Sequence, residues 1–214
     1  TPQSHPLARG FDEFYGFLHE GHFYRPRDNK TIVSRLRPNE PPYDDHNPIL
    51  RGREEIVEPD YFTSALAREA CSFIDRHRAR PFFLYLPFNA IHSPMQADPP
   101  DLDRFAHIQH PHRRIFAAML ASFDDAVGRI LGRLRQHRLD QDTLVAFISD
   151  NGGPTGELTS SNLPLRGGKG QLFEGGIRVP FFLQYPRVLK PGRVLDTPLT
   201  ALDLLPTFRA AAQA

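Results

Sequence analysis

Three short apolar runs without polar alternation dominate the hydrophobic pattern of this chain. They occupy residues 82–88, 143–149 and 179–185, and each is bounded by proline, arginine, aspartate or asparagine. A continuous apolar run of this length is typical of a strand that is covered on both faces, as in a parallel sheet. The three runs are therefore predicted to be buried strands.

Stretches with helical periodicity lie between these runs. One follows Pro59, a second covers about residues 113–138, and Thr200 with Asp203 predicts a capped start for a last helix, which Pro206 would kink. The positions expected to face the core are Phe62, Leu66, Ala70, Phe73 and Ile74 in the first helix and Ile115, Met119, Phe123, Val127, Ile130, Leu131 and Leu134 in the second.

The alternation of strands and helices predicts a layered α/β fold with a mostly parallel central sheet flanked by helices. Residues 1–214 are expected to form one domain, in which the polar, proline-rich stretch 25–58 is a variable surface excursion. In such folds ligands bind beyond the carboxyl ends of the strands. That rule directs attention to residues 89–94, to residues 150–153 and to the glycine-rich loop before the third strand.

The charge balance narrows the range of partners. There are 26 basic and 25 acidic residues, a formal net charge of +1, which gives no case for nucleic acid or an anionic membrane as the main partner. No apolar run approaches the roughly 18 residues needed to span a bilayer. The single cysteine, Cys71, excludes an intrachain disulfide and leaves the compartment open.

Asp150 and Asn151 follow the second apolar run directly. A carboxylate and an amide carbonyl are hard oxygen donors, suited to calcium or magnesium, but calcium takes six to eight oxygens and two donors make a weak site. Asp-Asn-Gly-Gly is also a strong turn signal, and the local sequence alone favours a simple turn.

Lys169 and His92 are the candidates for binding an anion. Lys169 lies between glycines that allow close backbone approach, although a solvated lysine explains the same pattern and no P-loop motif is present. His92 follows the first run and could donate to an anionic substrate or protonate a leaving oxygen, or simply end a strand. His107, His110 and His112 are interpreted as solvated, and Cys71 as a small apolar residue of the first helix.

The order of these segments resembles the sulfatase family of the alkaline phosphatase superfamily. The most specific stretch is Leu165–Pro180, LRGGKGQLFEGGIRVP, and Leu144–Gly153, LVAFISDNGG, is similar to the strand and metal-binding turn of the family. Residues 81–94, PFFLYLPFNAIHSP, resemble its substrate-histidine strand. Residues 10–17 and 200–207 are similar to an early and a late helical segment.

The resemblance implies a role for each candidate residue. Asp150 and Asn151 would bind calcium, with magnesium less favoured, and His92 and Lys169 would hold the sulfate group and its ester oxygen. The substrate would be a sulfate-ester small molecule or a sulfated carbohydrate. Such proteins are periplasmic, secreted or lysosomal, but the compartment of this one stays open.

The chain departs from the family pattern at the nucleophile. The family uses a formylglycine made from the first residue of a Cys/Ser-x-Pro-x-Arg motif, but Cys71 is followed by Phe73 and Asp75 at the positions of proline and arginine. The closest local match, Asn162-Leu-Pro-Leu-Arg166, has asparagine at the nucleophile position. The sequence is therefore interpreted as a carboxyl-terminal portion of a sulfatase catalytic domain, with the formylglycine and the first strands expected upstream.

Three interpretations remain open. A sulfatase portion that is inactive alone is the first. The second is a phosphate- or phosphonate-ester hydrolase of the same superfamily, which uses similar charges. The four candidate residues do not distinguish a sulfate ester from a phosphate ester. A non-catalytic module that binds sulfated glycans through Lys169 and His92 is the third.

Overall fold

The computed structural model describes residues 2–19, 22–25, 47–155 and 159–213. The strands, in chain order, are β1 (Tyr15–Gly16), β2 (Ile49–Arg51), β3 (Glu54–Ile56), β4 (Val145–Ile148) and β5 (Phe181–Gln184). The helices are α1 (Phe62–His77), α2 (Pro99–Arg104), α3 (Pro111–Gln136), α4 (Glu174–Ile177) and α5 (Leu204–Ala212). Most of the polar stretch 25–58, from residue 26 to residue 46, lies outside the described residues.

The chain divides into two compact units. The first comprises residues 1–133 with 156–159, and the second comprises residues 134–155 with 160–214. No helix of the described residues is long and apolar enough to cross a membrane.

The first unit is organised around α1 and α3, both of which the periodicity predicted. Phe62, Leu66 and Ile74 of α1 are buried, as are Ile115 and Met119 of α3. One cluster of buried residues joins α1 to the small sheet, and a second surrounds Met119. The helical pattern therefore identified the elements that carry much of the core of this unit.

The small sheet of the first unit was not predicted. β1, β2 and β3 pair antiparallel in that order, and the two-residue turn between β2 and β3 begins at Gly52, where φ is +64°. A glycine accepts this left-handed conformation without steric cost, so it permits the tight reversal. The sheet places Tyr15, Ile49 and Ile56 against the amino-terminal half of α1.

The prediction of a buried strand at 82–88 is wrong. Within the described residues this run pairs with no strand, and its side chains alternate between half-buried and exposed. Leu86 and Phe88 pack on the α1 cluster, whereas Phe83 and Tyr85 are 58% and 65% exposed. A continuous apolar run does not reveal which of its faces is covered, and here only one is.

The prediction of parallel pairing is also wrong for the described strands. In the second unit β4 pairs antiparallel with β5, with Ile148 opposite Phe181 and Val145 opposite Gln184. A parallel pair needs a crossover that carries the chain back along the sheet, usually a helix. In its described part, residues 149–155 and 159–180, the connection between β4 and β5 contains only the four-residue α4, and it folds back at the edge where β4 ends.

The last helix begins as the sequence predicted. The Thr200 side chain accepts the amide of Leu202, and the Asp203 carboxylate accepts the amide of Thr200, at the start of a 3-10 turn over Ala201–Asp203. α5 follows directly, and Pro206 falls in its first turn, where the missing N–H interrupts no helical hydrogen bond.

Candidate functional site

The turn that follows β4 carries Asp150 and Asn151. The Ser149 amide donates to the Pro180 carbonyl at 3.1 Å, which continues the β4–β5 pairing by one residue, and the Ser149 hydroxyl donates to the Asn151 carbonyl at 2.9 Å. Asp150 is exposed and Asn151 is half-buried. The turn therefore directs a carboxylate to solvent just beyond the end of a strand.

A glycine-rich loop packs directly against this turn. The Gly152 amide donates to the Gly176 carbonyl at 2.9 Å. A Cβ atom at Gly152 would lie 1.8 Å from the Gly175 carbonyl oxygen, and one at Gly168 would lie 2.4 Å from the Gly153 carbonyl oxygen. Because these contacts are between backbone atoms, no side chain can move aside, and both positions require glycine.

Lys169 is attached to the turn through its backbone. Its amide donates to the Gly153 carbonyl at 3.3 Å, and its side chain is exposed. Gly153 is two residues after Asn151, so the lysine and the Asp150–Asn151 pair lie on loops that are hydrogen-bonded to each other within the second unit. This juxtaposition follows from the antiparallel pairing of β4 and β5, because the end of one strand lies beside the start of the other.

The Lys169 loop is also held by its own contacts. The Gly175 amide donates to the Arg166 carbonyl at 2.7 Å, and the Gln171 side-chain oxygen accepts the Gly168 amide at 3.1 Å. The Arg166 guanidinium lies over the Phe173 ring, 3.8 Å from its centre. Backbone hydrogen bonds and this cation–π contact fix the loop around Lys169 without using the lysine side chain.

Asn162 connects the turn and the loop, although its sequence context did not predict it as a site residue. Its side-chain oxygen accepts the Gly153 amide at 3.0 Å, and its side-chain nitrogen donates to the carbonyls of Gly153 at 2.9 Å and Gly167 at 3.0 Å. The available signal was its position between two glycine-rich segments, but the sequence does not show that a single amide reaches both.

His92 belongs to the first unit, where a loop over residues 89–96 holds it. Its amide donates to the Asn89 carbonyl at 2.9 Å, and the buried Tyr24 hydroxyl lies 2.6 Å from the same carbonyl oxygen and 3.0 Å from that of His92. The His92 ring is exposed, and its Nδ1 lies 2.8 Å from the Ser93 carbonyl oxygen. A carbonyl only accepts hydrogen bonds, so this contact places the proton on Nδ1.

Gln96 anchors the far end of the same loop. Its side-chain oxygen accepts the amides of Tyr24 and Arg25 at 2.9 and 3.0 Å, and its carbonyl accepts the Tyr61 hydroxyl at 2.9 Å. Gln96 is fully buried, so these bonds satisfy polar groups that water cannot reach. The backbone that carries His92 is therefore fixed from the core of the first unit.

The chemistry of Asp150 and Asn151 matches a hard cation. Both offer oxygen donors, but two donors fall short of the six to eight that calcium takes. Among the described residues there is no group of three or more histidine, cysteine, aspartate or glutamate side chains that could hold a metal ion. The pair therefore fits part of a calcium site.

Cys71 and the histidines of residues 107–112 lie apart from the residues described above in sequence. Cys71 is buried in α1, and burial raises the pKa of its thiol, which disfavours the nucleophilic thiolate. His107 and His110 are exposed, and the rings of His110 and His112 lie 5.8 Å apart.

Comparison with known proteins identifies one family. A family profile described as Sulfatase matches residues 1–214. The N-acetylgalactosamine-6-sulfatase of Canis lupus familiaris is 35% identical over 96% of this chain and 39% of its own length. The steryl-sulfatase of Mus musculus is 41% identical over 71% of this chain and 24% of its own length.

A solved structure agrees with these relatives. The crystal structure of Ps i-CgsB in complex with k-i-k-neocarrahexaose superimposes with a TM-score of 0.88 at 38% identity, over 100% of this chain and 48% of that one. The chain thus spans less than half the length of the proteins it matches here. Its helices and small sheets form part of a larger α/β fold.

Proposed function

This chain belongs to the sulfatase family, and we propose that it contributes the cation-binding turn and the sulfate-binding residues of a sulfuric ester hydrolase. Asp150 and Asn151 bind calcium in this proposal, and Lys169 and His92 bind the sulfate group. Magnesium is the less favoured cation, because it demands near-ideal octahedral geometry, whereas calcium accepts a flexible arrangement of oxygen ligands.

The observation that carries the proposal is the packing of two loops in the second unit. The Asp150–Gly153 turn and the Lys169 loop are joined by backbone hydrogen bonds, and both charged side chains are exposed. A carboxylate for a cation and an ammonium for an anion are thereby held on one rigid support. A sulfate ester bound to a cation requires such an arrangement of opposite charges.

The chain's own residues supply binding and charge in this proposal. Calcium bound at Asp150 and Asn151 would neutralise negative charge on the sulfate. The Lys169 ammonium pairs with a sulfate oxygen, and its backbone is fixed before substrate arrives, so little reorganisation is needed. In its imidazolium form His92 keeps Nδ1–H on the Ser93 carbonyl, donates a hydrogen bond from Nε2 to the ester oxygen and can pass that second proton to it as the alcohol leaves.

We further propose that this chain alone is inactive. The 214 residues contain no Cys/Ser-x-Pro-x-Arg motif, and the loss of a nucleophile lowers turnover by several orders of magnitude. The isolated chain should therefore hydrolyse an aryl sulfate at the background rate. Turnover by pure isolated chain that Lys169→Ala abolishes would contradict this.

The relatives support a carbohydrate sulfate ester as the substrate. The N-acetylgalactosamine-6-sulfatase and the Ps i-CgsB structure in complex with k-i-k-neocarrahexaose both align with nearly the whole of this chain, and each name refers to a sugar.

The test is the hydrolysis of a nitrophenyl sulfate by the full-length protein with calcium, with and without a chelator. Lys169→Ala and His92→Ala should each lower kcat/KM by about a hundredfold or more, because each removes a group that stabilises developing charge. Lys190→Ala and His107→Ala are matched controls on exposed residues and should leave the rate unchanged.

Two results would contradict the proposal. One is a rate that neither the chelator nor the Lys169 substitution changes. The other is faster hydrolysis of the matching nitrophenyl phosphate, which would favour a phosphate-ester hydrolase of the same superfamily.

A further inference from the structure

We propose that Asn162 is the positioning residue of the candidate site: its amide holds Gly153 against Gly167 and so sets the separation between the Asp150–Asn151 pair and Lys169. This inference rests on the proposed function, because it concerns how the same site is assembled. Asn162 reaches no reacting atom in this proposal and acts through the two loops that it joins.

The three hydrogen bonds of Asn162 use both ends of its amide. The oxygen accepts the Gly153 amide at 3.0 Å, and the nitrogen donates to the Gly153 and Gly167 carbonyls at 2.9 and 3.0 Å. The reversed amide would oppose N–H to N–H and C=O to C=O, so this orientation is the one that satisfies all three contacts. An uncharged side chain with one acceptor and two donors is therefore required here.

The residues that Asn162 joins are placed symmetrically about the site. Gly153 follows Asn151 by two residues, and Gly167 precedes Lys169 by two residues. A Cβ atom at Gly168 would lie 2.4 Å from the Gly153 carbonyl oxygen and 3.0 Å from the Asn162 side-chain nitrogen. The two backbones thus approach each other as closely as glycine permits, at the point where the amide bridges them.

A further hydrogen bond joins Gly153 to the Lys169 loop. It is the 3.3 Å contact from the Lys169 amide to the Gly153 carbonyl, at the long end of the range for such bonds. Loss of the Asn162 amide would leave this long bond and the 2.9 Å bond from the Gly152 amide to the Gly176 carbonyl between the turn and the loop. Lys169 would then sample positions away from the cation-binding pair.

The test measures binding of inorganic sulfate by calorimetry, with saturating calcium, to the full-length protein at about pH 8 and about pH 5, together with the melting temperature. Asn162→Ala removes all three bonds and should weaken sulfate binding about tenfold at both pH values. Ser161→Ala is the control, because the exposed Ser161 side chain accepts the amide of Leu163, two residues along the chain, and it should bind sulfate as the unaltered protein does.

Asn162→Asp supplies a readout that general destabilisation would not produce. Its carboxylate would face the Gly153 and Gly167 carbonyls, so sulfate binding should weaken about tenfold or more at pH 8. The half-buried position and the two facing carbonyl oxygens raise the pKa of the introduced carboxyl, so its protonation at about pH 5 would restore one O–H donor and most of the affinity. Other titratable groups are shared by the unaltered protein and all variants, so each affinity is compared with that of the unaltered protein at the same pH. These groups are Asp150, Arg166, Lys169, Glu174 and His92.

Two results would overturn the role of Asn162. One is a lower melting temperature with unchanged sulfate affinity in both Asn162 variants. The other is an Asn162→Asp affinity, relative to the unaltered protein, that is equally poor at both pH values. Failure of the proposed function looks different: the unaltered protein would then bind no sulfate, or would bind it equally well after Lys169→Ala.

Discussion

Glu58 shows at the scale of a residue how a charge is held in the first unit. Its buried carboxylate accepts hydrogen bonds from the Tyr15 hydroxyl at 2.6 Å, from Arg68 at 2.7 Å and from the Asp60 amide at 3.0 Å. Burial by itself would raise the pKa of Glu58, but the hydrogen bonds from Arg68 and Tyr15 lower it below the ordinary value. Glu58 thereby ties β1 to α1.

Substitution of Glu58 by glutamine should lower the free energy of unfolding at neutral pH by about 2 kcal/mol, since hydrogen bonds to a charged group are lost. The folded pKa of Glu58 is depressed, so its contribution is present above the unfolded pKa and is lost as the pH falls through the folded pKa. Thermal melts from about pH 7 down to about pH 3 should show a smaller loss of stability for Glu58→Gln than for the unaltered protein.

Glu55→Gln on the neighbouring strand is the control, because Glu55 is exposed. It should leave the melting temperature at neutral pH nearly unchanged. Equal melting temperatures for Glu58→Gln and Glu55→Gln at every pH would show that the Glu58 network contributes nothing to stability.

At the scale of an element, glycine has opposite roles in the loops and in α3. A Cβ atom at Gly152 would meet the Gly175 carbonyl at 1.8 Å, whereas one at Gly128, exposed in α3, would meet nothing within 4 Å. Gly152→Ala should therefore destabilise the protein by about 2 kcal/mol or more through overpacking. Gly128→Ala should stabilise it by up to about 1 kcal/mol, because alanine favours the helix.

Urea unfolding of the two alanine variants checks this contrast directly. The Gly152 variant should unfold at a lower urea concentration than the unaltered protein, and the Gly128 variant at a slightly higher one. A Gly152→Ala protein of unaltered stability would mean that the turn and the glycine-rich loop are not packed as described.

The sequence predicted helices well, because the spacing of apolar residues in a helix depends on that helix alone. Helical spacing identified α1 and α3, and the Thr200–Asp203 signal located the start of the last helix. The direction of the β4–β5 pairing was missed, because an apolar run shows burial but not the strand that pairs with it. The same limit explains why residues 82–88 were taken for a covered strand.

For the candidate site, the sequence supplied candidate residues but not the contacts between loops. Local chemistry made Asp150, Asn151, Lys169 and His92 candidates, the resemblance to the sulfatase family supplied their roles, and those roles remain proposals. Asn162 was missed as a bridge because its three partners, at Gly153 and Gly167, become neighbours only when two loops fold together. The sequence of neither loop predicts contacts of this kind between them.

At the scale of the whole molecule, many apolar side chains are exposed. In the second unit they include Leu163, Leu172, Phe182, Val188, Val194, Leu195, Leu202 and Leu205, each more than 60% exposed. Relatives of this family extend well beyond the region that this chain matches, which is 48% of the Ps i-CgsB chain. So many largely exposed apolar side chains are typical of a chain that packs against further protein.

The isolated 214-residue chain should therefore bind a hydrophobic dye and self-associate in solution, whereas the full-length protein should do neither. Dye fluorescence and sedimentation of both proteins at equal concentration check this expectation. A monomeric isolated chain that unfolds cooperatively and binds no dye would contradict it.

The most direct measurement is a crystal structure of the full-length protein grown with calcium and then soaked with sulfate. We expect calcium with Asp150 and Asn151 oxygens at about 2.3–2.6 Å. The sulfate should lie within hydrogen-bond distance of Lys169 Nζ and the His92 ring. Calcium bound away from the Asp150–Asn151 turn, or a sulfate that contacts neither Lys169 nor His92, would contradict the proposed site.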